Sequence, residues 1–191
     1  MINTLALTAL LGLSSLHATQ YTVDTGHTTI GFKVRHMMVA SVRGTFKDYK
    51  GHYDYNPETK QIKSLDGIVK IASINTDDKK RDDHLRSADF FDAKKYPDMT
   101  LKLIKHTGDT ALVDLTIKGI THQETFEVDD LSTEVKDPWG NIKTGFSLTG
   151  KISRKTYKIL FNQLLETGGV AVGDKVKITL DIEGNKVVDK K

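Results

Sequence analysis

The sequence predicts a mainly-β, antiparallel fold, a barrel or a sandwich. Stretches of apolar–polar alternation recur along the chain, and turn residues separate them at short intervals. A third observation breaks that pattern. Residues Arg81 to Asp92 form a charged, helix-compatible stretch that holds the adjacent Phe90 and Phe91. In a chain otherwise built of strands, such a segment suits a plug at one end of a barrel. A closed barrel with an apolar interior in turn suits a carrier of something greasy.

At the start, Leu5 to Leu13 is an apolar run without charge. It falls short of the ~20 residues a spanning helix needs, and it matches the core of a secretory signal, with Ala18 as the small residue before the cut. No Lys or Arg precedes the run and Leu16 is bulky for its place, so a buried N-terminal helix is the competing reading. The expectation is a signal peptide over residues 1–18, a mature domain over 19–191, and a periplasmic or secreted location.

Along the mature chain, Ile30, Phe32, Val34, His36 and Met38 share one face of an extended segment, with Lys33 and Arg35 on the other. Val42, Gly44 and Phe46 repeat the pattern, as do Met99–Leu103, Ala111–Ile117, Phe146–Ile152 and Val176–Ile182. Strands of this kind face a core on one side and water on the other. Turns are expected at Asn56-Pro57-Glu58, Thr107-Gly108-Asp109, Lys118-Gly119, Asp137 to Asn141 and Gly173-Asp174. Asp77 to Phe91 reads as helical, with Asn75 or Thr76 as N-cap and Ser87 capping a second short turn. Residues 157–165 are ambiguous between strand and short helix. No linker or repeat divides the chain, so one domain is expected.

Composition narrows the function. The 191 residues suffice for a substantial core. Charged residues make up 28% yet the net charge is only +3, which argues against a dedicated nucleic-acid binder. Cysteine is absent, which excludes thiol catalysis, disulfide exchange and cysteine-ligated zinc.

The motifs then resemble those of the YceI-like family, which consists of mostly periplasmic, lipocalin-like bacterial proteins that bind polyisoprenoids or related lipids. The resemblance runs from Tyr21 to about Lys186. It rests on Asp24 to His36, Val42 to Phe46, Ala72 to Thr76 with the helical segment and Tyr96-Pro97-Asp98-Met99, Leu115 to His122, Gly145 to Lys155, and Val172 to Ile178, in that order. Two departures stand out: Thr28 where the family often has serine, and Ser153-Arg154-Lys155 where it often has Asp-Arg. The resemblance implies an eight-stranded antiparallel lipocalin-like barrel with one or two short helices near one end and an elongated internal pocket.

For that pocket the sequence offers Ile30, Phe32, Val34, Phe46, Phe90, Phe91, Phe126, Phe146 and Leu148 as apolar wall, with Gly31 and Gly44 thinning it locally. These residues could equally pack a solid core. His36 is the candidate for a polar headgroup contact; a histidine satisfied by a backbone carbonyl or by Asp24 is the alternative. The expected ligand is a long isoprenoid or an acyl lipid, with no catalysis, catalytic residue, cofactor or metal. A fatty acid or fatty amide is the alternative cargo. The expected partners are that lipid, transient membrane contact and a second copy of the chain in a homodimer; no nucleic acid is expected.

Two readings from other classes compete. Asp82, Asp83 and His84 with the remaining histidines raise a metal-dependent hydrolase, but adjacent helix residues diverge by roughly 100° and no His-Glu-x-x-His spacing occurs. No Gly-x-Ser-x-Gly elbow or phosphate loop exists, and Gly168-Gly169 reads as a strand turn. A partner-binding barrel with a solid core is the third class.

Overall fold

A computed structural model describes residues 18–164 and 169–188. The expected signal peptide falls, save for Ala18, outside the described residues, as does Gly168. The strands are β1 (Thr19–Val23), β2 (Thr29–His36), β3 (Ala40–Phe46), β4 (Tyr49–Asn56), β5 (Gln61–Lys70), β6 (Ile74–Asn75), β7 (Asp98–Thr107), β8 (Thr110–Ile117), β9 (Ile120–Asp129), β10 (Val135–Lys136), β11 (Ile142–Ser153) and β12 (Val172–Lys186), with one helix, α1 (Lys79–Arg86).

Every strand pairing is antiparallel, and the sheet closes on itself. The ring runs β11–β9–β8–β7–β5–β4–β1–β12 and back to β11. Eight strands therefore make the barrel, as the resemblance implies. Two wall strands are broken along their length. β1 and β2 follow one another along the same edge of β12, which pairs Val23 with Gly184 and then Thr29 with Asp181. β3 and β4 likewise succeed one another, pairing with β2 and β1.

Local chemistry explains the turns. Lys118 and Gly119, at φ 51° and 70°, join Ile117 to Ile120 in the two-residue turn whose twist matches that of the strands. Gly108, at φ 56°, opens the turn between Thr107 and Thr110.

Above Val69 the wall opens, because the β4–β5 ladder ends at the Tyr49–Val69 pair and β3 pairs with the two-residue β6 instead. Residues 71–97 fill that gap. The helix there starts later than the sequence suggests. Asp77 takes a left-handed φ of 61°, so Asp78 becomes the N-cap and accepts from the Arg81 N–H. The helix ends at Ser87, whose carbonyl accepts from Phe90 and Asp92 N–H and so carries the expected second turn. Residues 157–164 are turns and irregular chain, apart from a single bridge between Leu164 and Val170.

Candidate functional site

The two halves of the barrel interior differ. In the lower half Tyr21, Tyr53 and Tyr55 are fully buried around Phe146. The Tyr21 and Tyr53 rings stack at 5.2 Å, and Phe146 meets Tyr53 edge-on at 5.1 Å. Their hydroxyls donate to Glu134 Oε1, to the Thr144 carbonyl and to the Ser132 carbonyl, so none of the three phenols of this aromatic plug is left without a partner.

Above the plug lies a cavity of about 180 Å³, more than ten times the ~15 Å³ that one water requires. Its wall is almost wholly apolar. β2 supplies Ile30, Phe32 and Val34, β12 supplies Val176, Ile178 and Leu180, and Leu85, Phe90 and Phe91 reach in from the segment that fills the gap. Many of these side chains face inward yet stay only half-buried, because what they face is empty space.

Two glycines shape this wall differently, since a Cβ at Gly51 would fall 2.8 Å from the Asp66 carbonyl oxygen and only Gly67 leaves space open. Gly51 of β4 stands opposite Gly67 of β5, both on the inner face with Leu65 and Tyr53. A Cβ at Gly67 would meet nothing within 4 Å. The glycines expected to thin the wall act differently. Gly31 lies on the outer face with Lys33, and Gly44 is a seat for an aromatic ring: a Cβ there would fall 2.5 Å from the Phe32 ring.

Seven of the nine expected wall residues, Ile30, Phe32, Val34, Phe46, Phe90, Phe91 and Phe126, come together around the cavity. Phe146 and Leu148 do not. Phe146 belongs to the plug, and Leu148 is fully buried outside the lining. Both point inward, as their alternation requires, but at a height where the barrel is solid. His36 ends β2 opposite Ala40, exposed and away from the lining. His36 is still paired on both flanks, with Val172 and Ala40, but it stands at the rim of the barrel where nothing covers the inner face. Trp139 is also exposed, in the loop before β11.

The acidic and histidine residues are scattered in use. Asp82 accepts from the Thr76 N–H and hydroxyl, Asp83 pairs with Lys79 and Arg86, and His84 shares a hydrogen bond with Asp89. Asp24, His27 and Glu183 do converge, but the Lys143 ammonium sits on both carboxylates, at 2.6 and 2.7 Å. A cation already occupies the place where an ion would bind.

With this geometry in view, a family model described as a YceI-like domain matches residues 21–184. The chain belongs to the YceI-like family. Among its relatives, a UPF0312 protein of Staphylococcus epidermidis is 40% identical over 167 residues, which is 86% of this chain and 96% of that protein. A UPF0312 protein of Staphylococcus aureus is 38% identical over 165 residues, again 86% and 96% of the two chains. The crystal structure of the Campylobacter jejuni YceI protein superposes with a TM-score of 0.69 at 34% identity, over 86% of this chain and 96% of that one. A polyisoprenoid binding domain from Saccharophagus degradans shares the fold, with a TM-score of 0.61 at 13% identity over 87% and 98% of the two chains.

One wall residue of this YceI-like chain escaped the sequence reading. Arg154 is only 4% exposed, lines the cavity and, among the described residues, enters no ion pair with a carboxylate. Its guanidinium donates instead to the carbonyls of Gly173, Ile159, Phe161 and Val172. Burial lowers its affinity for the proton, and Asp174 partly offsets this; the guanidinium keeps its charge nonetheless. Beside it, the Tyr157 hydroxyl donates to Glu124 and is held protonated far above the usual tyrosine range, first by burial and then by that bond.

Proposed function

We propose that this protein binds one long-chain isoprenoid lipid, of polyprenyl or prenyl-quinone type, in the barrel cavity and sequesters or carries it without chemical change. The observation that carries the reading is the cavity: partly open to solvent, almost free of polar atoms, lying above the tyrosine plug and lined at its other end by Arg154, Tyr157 and Ile159. Lipid binding agrees with the family, and the structural likeness to a polyisoprenoid binding domain supports it at the level of the fold. Delivery to the periplasm or outside the cell belongs to the same proposal and rests on the N-terminal apolar run.

The wall chemistry is sufficient for affinity. Large ligands realise roughly 0.3 kcal/mol per heavy atom, so a forty-carbon tail, sheltered in part by the cavity and in part at its open side, gains at most on the order of 12 kcal/mol, which is nanomolar. A tail of about twenty carbons gains half of that, which keeps fatty acids and fatty amides as the second class of cargo.

Native mass spectrometry of protein purified without detergent tests the proposal. The expected result is a stoichiometric, non-covalent lipid adduct whose extracted mass identifies an isoprenoid. Protein that flies only at its own mass, and stays so after incubation with polyprenol, would overturn it. An acyl mass would shift the reading to the second cargo.

A further inference from the structure

Four cations stand in one row across the outer wall. Lys151 of β11 lies opposite Lys177 of β12, Lys177 opposite Lys33 of β2, and Lys33 opposite Arg43 of β3. All four are exposed, and among the described residues none of them enters an ion pair. Like charges directly opposite one another destabilise a sheet, so three such juxtapositions in succession do nothing for folding. Arg35 and Lys175 extend the patch toward the β2–β3 turn. The neighbouring carboxylates do not cancel it: Glu127 is paired one step away with Thr149, and Asp174 is bound by Ser153.

That turn is unusual in a second respect. Val39 N–H donates to the His36 carbonyl, and both central residues, Met37 and Met38, are left-handed, at φ 49° and 62°. Turns of this type select Asn-Gly, because a Cβ crowds the carbonyl at positive φ, which glycine avoids and asparagine tolerates best. Here two methionines take those positions. The tip is solvent-facing, with Met38 56% and Val39 81% exposed. Leu164, 84% exposed, stands nearby, since Met37 N–H donates to Ala171 and Ala171 N–H to Gln163. Arg35 fixes the tip by donating to the Met38 carbonyl at 2.6 Å.

We propose that this end of the barrel docks on an anionic lipid bilayer, the Met37–Val39 tip entering the acyl boundary and the Lys151–Lys177–Lys33–Arg43 row resting on headgroup phosphates. The dimensions agree. Lys33 lies four to five residues from the tip, roughly 15 Å at strand rise, and interfacial segments sink about 5–10 Å, which leaves long basic side chains within reach of the phosphate layer. A nucleic acid would use the charge row but has no use for a strained, exposed pair of methionines. The cavity ends close by, since Val34 and Val172 line it just above the tip. Docking extends the carrier reading, but it is measured without reference to the cargo.

The test is cosedimentation of the full chain with vesicles of mixed phosphatidylglycerol and phosphatidylcholine, against phosphatidylcholine alone. Binding should need the anionic lipid and weaken as salt rises. The four-glutamine variant (K33Q, R43Q, K151Q, K177Q) should bind on the order of a thousandfold more weakly, with an unfolding midpoint no lower than that of the parent because repulsion is relieved. M37N/M38G, which suits the turn better, should bind about tenfold more weakly. The N-terminal apolar run is common to all variants and cancels. Equal binding by the four-glutamine variant, indifference to the anionic lipid, or duplex DNA bound more tightly than vesicles with M37N/M38G unaffected would each overturn the proposal. Cargo is read separately by mass: a chain that docks but carries no lipid ends the carrier reading alone, and a loaded chain that ignores vesicles ends this one alone.

Discussion

At the scale of single residues, the interior is governed by where side chains are missing. Gly44, Gly150 and Gly184 each lie under a ring, those of Phe32, Phe126 and Tyr53, so their lack of a side chain is used up by packing. Gly67 is not used up, and its φ is ordinary. Gly67→Leu should therefore project into the cavity without a clash, lower bound lipid in native mass spectrometry, and hold or raise stability by about 0.5 kcal/mol; lipid occupancy unchanged in the folded variant would show that cargo does not reach this height. The inward residues of β2 were legible because period two fixes which face a side chain takes. It does not fix height along the barrel axis, which is why Phe146 and Phe126 read alike but sit in plug and wall. Arg154 was illegible for another reason: its partners are main-chain carbonyls, and these have no sequence signature.

At the scale of elements, the decisive piece is the 71–97 segment in the opening between β3 and β5. Its place in a side opening of the wall was not legible, with Phe90 and Phe91 lying beyond the helix end, but the charged stretch itself was visible in the sequence. Its boundaries were not, because the left-handed Asp77 postpones the first turn. Asp82 stitches the helix to β6 by accepting from the buried Thr76 N–H and its hydroxyl. Asp82→Ala leaves that N–H without a partner and should cost about 1–3 kcal/mol in chemical denaturation. Asp82→Asn, which keeps an acceptor, should cost less, and equal losses would mean that the stitch depends on charge. Residues 157–164 defeated the periodicity because they wrap the Arg154 guanidinium through the Ile159 and Phe161 carbonyls, and no ladder or helix organises them.

At the scale of the whole molecule, the buried titratable groups set the pH range of stability. The Lys143 ammonium holds the Asp24 carboxyl far below the usual range, so that pair is fully stabilising above about pH 4 and is lost as acid protonates the folded carboxylate. Burial depresses His106, whose Nδ1 accepts from the Ile62 N–H, so its contribution fades as pH falls below about 6.5. Burial pushes the Tyr53 phenol up to about 12, so stability is complete below about pH 10 and declines as pH climbs through the folded value. Denaturation midpoints should form a plateau between about pH 6.5 and 10 and fall on both sides; a midpoint still rising beyond pH 10 would contradict the buried phenol. The eight-strand closure itself has a consequence for biogenesis. β12 is the seam: it zips β11 on one flank and β1 then β2 on the other, the latter across more than a hundred and thirty residues of intervening chain. Until the ribosome has released that strand, three ladders stand unpaired, and a nascent chain halted before Val172 would be an open, sticky trough that invites chaperones and aggregation.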